Sequence, residues 1–450
     1  MHERTQRAIA RLMFVCCCAL PTALTMIWVF LWTPLNHSWE LHRIEAQLSR
    51  DTGLIVEVEK FRRPSPSSLH LYGIHATQAE TNREVAHIRE LQWLDDGDEV
   101  AILMHQPEIQ SRELASVWSV LHDRFLCQPE LTATPVRVAA NDLTIHSYSD
   151  AVTLRDVDAW VGHREDSVEA IVQCVPAVSP IDTPITITVA RDHNPDGANP
   201  VTHWNLNTTD TPLPCSVLAD YLPNLEHFGG EATFTGNMSW QLEGKDWWID
   251  LGGSRFEHVS LDRMFEQHAH RLSGRAVIQL DRCRFESGNQ RSDMSGSIRA
   301  YRGMIGRPLL ESMNKHLGFD ISRQALSQTM GDVQYDLIAL GFDLNNTQLK
   351  LTGICNTEEA YHDFPRGAAL CFGNTELVRS SGQSMDAVQV LTAIAPTHSV
   401  LVPISGQTGW LSKVLIPPSR PAVGDARFPP QIRSAGPPQG GPQIMQPGWK

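Results

Sequence analysis

The sequence predicts a mainly β protein with a few short helices: an N-terminal transmembrane helix, then an elongated, curled antiparallel β-sheet, then a disordered tail. Three observations carry this. Residues 12–35 are uncharged and mostly apolar, the body alternates apolar and polar residues with a period of two, and the last 34 residues hold 9 of the 28 prolines. The chain accordingly divides into a cytoplasmic N-terminus (1–11), the transmembrane helix (12–35), two β-rich regions (36–211 and 212–416) and a Pro-rich tail (417–450).

A hydrocarbon core about 30 Å thick takes roughly 20 apolar residues as helix. Leu12–Leu35 is long enough even with Pro21 inside it. Arg4, Arg7 and Arg11 against Glu3 hold the short N-terminal side in the cytoplasm and place everything after Asn36 outside. Trp28, Trp32 and Trp39 suit an aromatic belt at the far end. A cleaved secretory peptide is the rival reading, but its apolar region spans ~7–15 residues, whereas here apolar character continues through Met26–Leu31. Phe14 and Val15 stand where a lipid-attachment box before Cys16, Cys17 and Cys18 needs small residues.

Past the anchor, Trp39, Leu41, Ile44 and Leu48 recur at helical spacing and predict a short amphipathic exit helix over residues 38–50. The period then becomes two. Strands are predicted from Leu54, from Leu69 to Ile74, Val85 to Leu94 and Val100 to Met104, with the acidic turn Asp95-Asp96-Gly97-Asp98 between the last two. That turn lacks the spacing and closing Glu of an EF-hand and reads as solvated. Leu114, Val117, Leu121 and Phe125 predict a packed helix, followed by strands at Val136–Ala140, Leu143–Ser147, Val168–Val175 and Pro184–Ala190 and a polar loop over 192–200.

The second region has a brief helix through Leu218, Tyr221 and Leu222 and then an unbroken alternation over 231–243, the pattern of a sheet wet on one face. Similar segments recur at Trp247–Leu251, Gly274–Leu280, Met294–Tyr301, Val333–Leu340, Phe342–Leu344 and Gln348–Gly353. Helices are predicted at Leu309–Leu317 and Met385–Ala395, the latter capped by Ser384. The tail carries Arg420, Arg427, Arg433 and Lys450 against Asp425, with no apolar periodicity.

A formal charge of −14 without a Lys/Arg cluster argues against a nucleic-acid partner. Nine cysteines split into three in the apolar run and six beyond it: Cys127, Cys174, Cys215, Cys283, Cys355 and Cys371. The six permit up to three disulfides, with Cys355 and Cys371 the first choice for a bridge and buried free thiols the alternative. No phosphate-cradling glycine loop, nucleophile elbow, H-E-x-x-H or dinucleotide fingerprint is present, so the chain reads as non-catalytic and without cofactor or metal. His268 and His270, with His258 upstream, lack a third ligand and read as exposed connector histidines. Asn36, Asn207, Asn237 and Asn345 open short Asn-x-Ser/Thr motifs of low specificity. Phe234, Met238, Trp240 and Leu242 lie on one strand face, close in sequence to Trp247 and Trp248, which point to opposite faces of a strand.

The order of anchor, exit helix, "DTGLIVEVEKF…SSLHLYGIHA", "GGEATFTGNMSWQLEG", "LSGRAVIQLDRCRF", "MSGSIRAYRGMIGRPLLESM" and "YDLIALGFDLNNTQLKLTG" resembles the AsmA-like proteins of Gram-negative-type envelopes. The likeness covers about residues 12–110 and 212–380 and rests on pattern rather than on single residues. It implies a single-pass inner-membrane protein whose periplasmic body is a β-rich, taco-like groove serving outer-membrane homeostasis or assembly. In larger members it implies phospholipid movement. The groove candidates it points to are Phe234, Met238, Trp240, Leu242, Trp247, Trp248, Ile278 and Leu280. Inner membrane, phospholipid and an envelope protein are the implied partners. The competing expectations are an anchored scaffold or assembly factor that binds an envelope protein and, behind it, an envelope-polymer hydrolase.

Overall fold

The computed structural model describes residues 12–394 except 33, 129–131, 133, 148–149, 165–166, 194–199, 220–224, 244–245, 267–269, 288–290, 324 and 326–330. Residues 1–11, predicted to be cytoplasmic, His268 and the tail 417–450 lie outside the described residues. With 53% strand and 25% helix the protein is mainly β, in one large, open, curled sheet.

Four antiparallel strands open the sheet: β1 (Ile55–Ser65), β2 (Ser68–Thr77), β3 (Glu84–Asp95) and β4 (Val100–Gln110). β5 (Val136–His146) then lies parallel to β4, which corrects the expectation of a purely antiparallel sheet. Parallel neighbours need a crossover of a dozen or so residues. Residues 111–135 supply it, with helical turns at Leu114–Ser119 and Val120–Leu126. β6 (Ala151–Arg164), β7 (Ser167–Pro176), β8 (Ile185–Asp192) and β9 (Val201–Asn207) follow antiparallel and in order.

After the two-residue β10 (Leu213–Pro214), one long strand is split by a bulge at Gly236 into β11 (Thr233–Thr235) and β12 (Asn237–Glu243). Its partner is split likewise into β13 (Asp246–Asp250) and β14 (Arg255–Ser260). β9 pairs with β12, so the sheet continues without a break. β13 and β14 share the edge of β15 (Arg275–Glu286), which leads to β16 (Arg291–Ile305). Beyond the two-residue β17 (Asp320–Ile321), β18 (Val333–Asn345) pairs with β16 and carries β19 (Gln348–Gly353) and β20 (Ala368–Phe372) along its other edge. β21 (Thr375–Arg379) and β22 (Ser384–Asp386) complete it.

Helices lie on one face, here the inner face. Leu41, Ile44 and Leu48 of the helix predicted over residues 38–50, which extends over Pro34–Thr52, pack on Val56, Val58, Leu71 and Ile74. The same helix closes the free edge of β1: Ser49 Oγ accepts from Val56 N at 3.0 Å and Glu45 Oε1 from Val58 N at 3.0 Å, which removes donors another strand would pair with. Trp118, Leu121, Phe125 and Leu126 cover Val161, Val168, Ala170 and Val189. Leu213, Cys215 and Val217 close over Ile185, Leu206 and Phe234. The helices Arg307–Leu317 and Val388–Ile394 cap the largest core, around Ala276, Ala300, Ile305 and Tyr335.

Several expectations are corrected. Ser384 does not cap a helix; it belongs to β22, and Asp386 Oδ1 accepts from Val388 N at 3.1 Å to start a shorter helix. β6 and β9 escape the sequence reading. In β6 the alternation changes phase at Asp156, whose φ of 51° marks a bulge where the register with β7 shifts. Helical backbone runs from Leu12 to Trp32 but is divided by the π turn Val15–Ala19. The remaining α-helix, Leu20–Trp32, has 13 residues, about 20 Å at 1.5 Å per residue. Among the described residues no helix is long and apolar enough to cross a membrane.

Candidate functional site

Cross-strand register assembles an aromatic row on the inner face. Trp204 of β9 stands opposite Trp240 of β12, Trp240 opposite Ile249 of β13, and Ile249 opposite Phe285 of β15. In the next row Leu242 stands opposite Trp247. The Trp204 and Trp240 rings meet edge to face, 6.3 Å between centroids at 73°. Trp240, Leu242, Ile249, Phe285 and Met294 are half-buried and fall outside the five apolar cores, whose helices cover the face on either side.

Two polar atoms in this stretch have no partner: Trp240 Nε1 and Trp247 Nε1 are buried without a hydrogen bond. Trp247 is only 3% exposed. A buried donor left unpaired costs about 1–3 kcal/mol.

The remaining groove candidates separate. Phe234, 6% exposed, and Met238 belong to the core with Leu213, Cys215, Val217 and Phe228, where the Phe234 ring lies 5.2 Å from Phe256. Ile278 packs on the core capped by Arg307–Leu317, and Leu280 is buried. Trp248 does not join them. Period two places it opposite Gln241 on the outer face, where its Nε1 donates to Gln241 Oε1 at 3.0 Å and the Arg284 guanidinium lies 4.6 Å over its ring. Sequence reasoning missed Trp204, Ile249 and Phe285 as members of the row and Met294 in the row beside it. The alternation of Thr202, Trp204 and Leu206 was a usable signal for the first of them.

Around Trp248 the outer face has a polar cleft of about 440 Å³, lined by Asn237, Ser239, Asp250, Gly252, Asp281, Arg282, Cys283, Arg284 and Asp293. Its arginines are engaged: Arg282 pairs with Asp293 at 3.3 Å and with Asp343 at 3.6 Å, and Arg284 with Glu286 at 2.8 Å. Burial pushes the Cys283 thiol up to about 12, which leaves it a poor nucleophile.

His122, Asp123 and Cys127, on the crossover, are the one group among the described residues with three metal-type donor atoms within 4.8 Å of one another. Asp123 Oδ1 lies 2.9 Å from His122 Nδ1, and Asp123 Oδ2 accepts from Ser119 Oγ at 3.1 Å. Cys127 Sγ is nearly equidistant from the two ring nitrogens, 3.7 and 3.9 Å, and so lies along neither lone-pair axis. Burial, and next the positive charge of Arg191, hold the imidazole below its usual value, while Asp123 pulls the other way. The arrangement fits a packed polar cluster better than a tetrahedral metal centre. His270 is not an exposed connector residue: it is 5% exposed, and burial lowers its pKa, opposed by the Ala393 backbone. His258 is exposed on a bulge of β14. The Asp95–Asp98 turn spends its carboxylates on its own backbone, with Asp95 Oδ1 accepting from Gly97 N and Asp96 Oδ1 from Glu99 N.

The working geometry is therefore an open, aromatic stretch of curled sheet between helix-capped cores, with two orphaned indole donors inside it. Compared with known proteins, the chain matches no family model, no curated protein and no solved structure.

Proposed function

We propose that the chain is a membrane-anchored, non-catalytic, AsmA-like envelope protein that holds a phospholipid acyl chain along the uncovered stretch of its inner face. The observation that carries this reading is the row Trp240, Ile249 and Phe285, with Met294 opposite Cys283 in the neighbouring row, all apolar and half-buried outside the apolar cores. An acyl chain needs a dry trough and no reacting group. The anchor in this reading is Leu12–Leu35. Its described side chains are bare of packing partners, with Leu12 65%, Phe14 65% and Met26 70% exposed, as suits a lipid environment.

The full chain is extracted in mild detergent and its bound lipid identified by mass spectrometry, alongside an Ile249→Glu variant. Wild type carries phospholipid and the variant loses most of it. A wild-type protein with no lipid, or a variant that retains it in full, removes the carrier reading.

The second reading, an anchored scaffold that binds an envelope protein, is favoured by the helix caps, which fill much of the inner face with ordinary core. Under it the partner seats on the same aromatic stretch, and Ile249→Glu abolishes protein capture while lipid is absent from both forms.

A further inference from the structure

Outside the inner face, one small core is built differently from the rest. Leu337 and Ala339 of β18 alternate with Ile338 and Leu340, which point into the helix-capped core, so the former pair faces outward. The chain leaves β19 at Gly353, makes an excursion over residues 354–367, and returns as β20 along the same edge of β18, with Cys371 opposite Leu337. Ile354, Tyr361 and Phe364 of that excursion fold over the outward patch. Ser380 pins both ends, accepting from Gly353 N through its Oγ at 2.6 Å and donating its N–H to Gly367 O at 2.8 Å.

Cys355 begins the excursion and Cys371 lies beneath it, and both are 0% exposed within one cluster of five buried residues. Their thiols are neighbours: contact with the Cys355 thiol, ahead of burial, raises the Cys371 thiol. No thiol neighbour acts on Cys174 or Cys215, which are raised by burial alone. The structure shows all nine cysteines as free thiols.

We propose that Cys355 and Cys371 are a disulfide site, oxidised as the exported chain folds, and that the bridge staples the excursion 354–367 onto β20. The oxidant is a disulfide, carried by a protein dithiol or a small molecule. One cysteine thiolate attacks it to give a mixed disulfide and releases one carrier thiolate. The second cysteine thiolate then displaces the other carrier sulfur, so the carrier leaves with two electrons as two thiolates and the two cysteine protons pass to solvent. Exchange requires access and a thiolate. It therefore precedes closure of the excursion, and the finished bridge lies out of reach of reductant.

The test uses the full chain in detergent, refolded in a mixture of reduced and oxidised glutathione, then denatured, alkylated without reductant, proteolysed and mapped by mass spectrometry. The expected result is one linked peptide pair joining Cys355 to Cys371. Alkylation of both residues, or linkage of either to a different cysteine, overturns the proposal. A Cys355→Ala/Cys371→Ala variant provides the second readout. Reduction after unfolding lowers the melting temperature of oxidised wild type by on the order of 5–10 °C and leaves that of the variant unchanged, whereas equal behaviour of the two overturns the proposal.

Discussion

Two stretches of the same inner face solve the burial problem in opposite ways. Under the helix Arg307–Leu317 the sheet presents Ala276, Ala300 and Val333, none above 1% exposed, and Leu310 at 0% fills the room they leave. Across β12, β13, β15 and β16 it presents Trp240, Ile249, Phe285 and Met294, half-buried and outside the cores. The capped core also holds the large strand residues Ile305, Tyr335 and Ile338, so what separates the two stretches is whether a helix packs over them.

The comparison breaks most directly in paired truncations. Leu310→Ala opens a cavity in the capped core and lowers unfolding free energy in urea by about 2–5 kcal/mol. Trp240→Ala, outside the capped cores, costs less than Leu310→Ala even though more atoms are removed, since part of its side chain is already exposed to solvent. Equal losses would mean that the open stretch is as much a core as the capped one.

Next in size is the bulge that separates the two kinds of surface within a single strand. Gly236, φ 130°, divides Phe234 in a core from Trp240 on the open row, and a Cβ there would stand 2.7 Å from Ser254 Cα. Gly236→Ala is expected to cost about 1–3 kcal/mol and to lower any bound lipid, as measured by denaturant melts and lipid analysis of the same preparation. Unchanged stability would show that the bulge does not hold the two surfaces apart.

The smallest effect is acid sensitivity confined to the capped regions. His122, stacked on Trp118 at 5.8 Å, and His270, beside Ala393, lie under or beside helices, and burial holds both imidazoles below 6.5. The unfolded chain therefore binds more protons than the native one. The stability they contribute is complete above about pH 6.5 and is lost as pH falls from there toward the lowered native values. Urea unfolding at pH 7.5, 6.5 and 5.5 should show this decline, and His122→Gln should flatten it. A slope unchanged by that substitution would place the sensitivity elsewhere.

Much of the sheet is legible along the chain because strand alternation is local. The segments Leu69–Ile74, Val168–Val175 and Met294–Tyr301 fall within observed strands, and Gly274–Leu280 does so from Arg275 onward. The misses have identifiable causes. β6 changes phase at Asp156, and the faultless alternation of 231–243 conceals the break at Gly236, because a bulge alters pairing without altering pattern. Of the candidate site, Trp240, Leu242 and Trp247 do share one face, while Trp248 was bound to leave it by strand period alone. Ile249 and Phe285 were not recognisable as neighbours, since they lie on different strands and only register aligns them.

The sequence by itself determined the β character, the amphipathic exit helix, the acidic balance and the uncharged N-terminal run, because each depends on residues a few positions apart. Tertiary structure alone decided the parallel step between β4 and β5, which cores the helices cap, and where the aromatic row falls between them; the Cys355 and Cys371 pair, already the first choice along the chain, it placed in one buried cluster. Those outcomes depend on strand order and register across long separations. Loop closure and side-chain volume govern such contacts, and neither leaves a periodic trace along the chain.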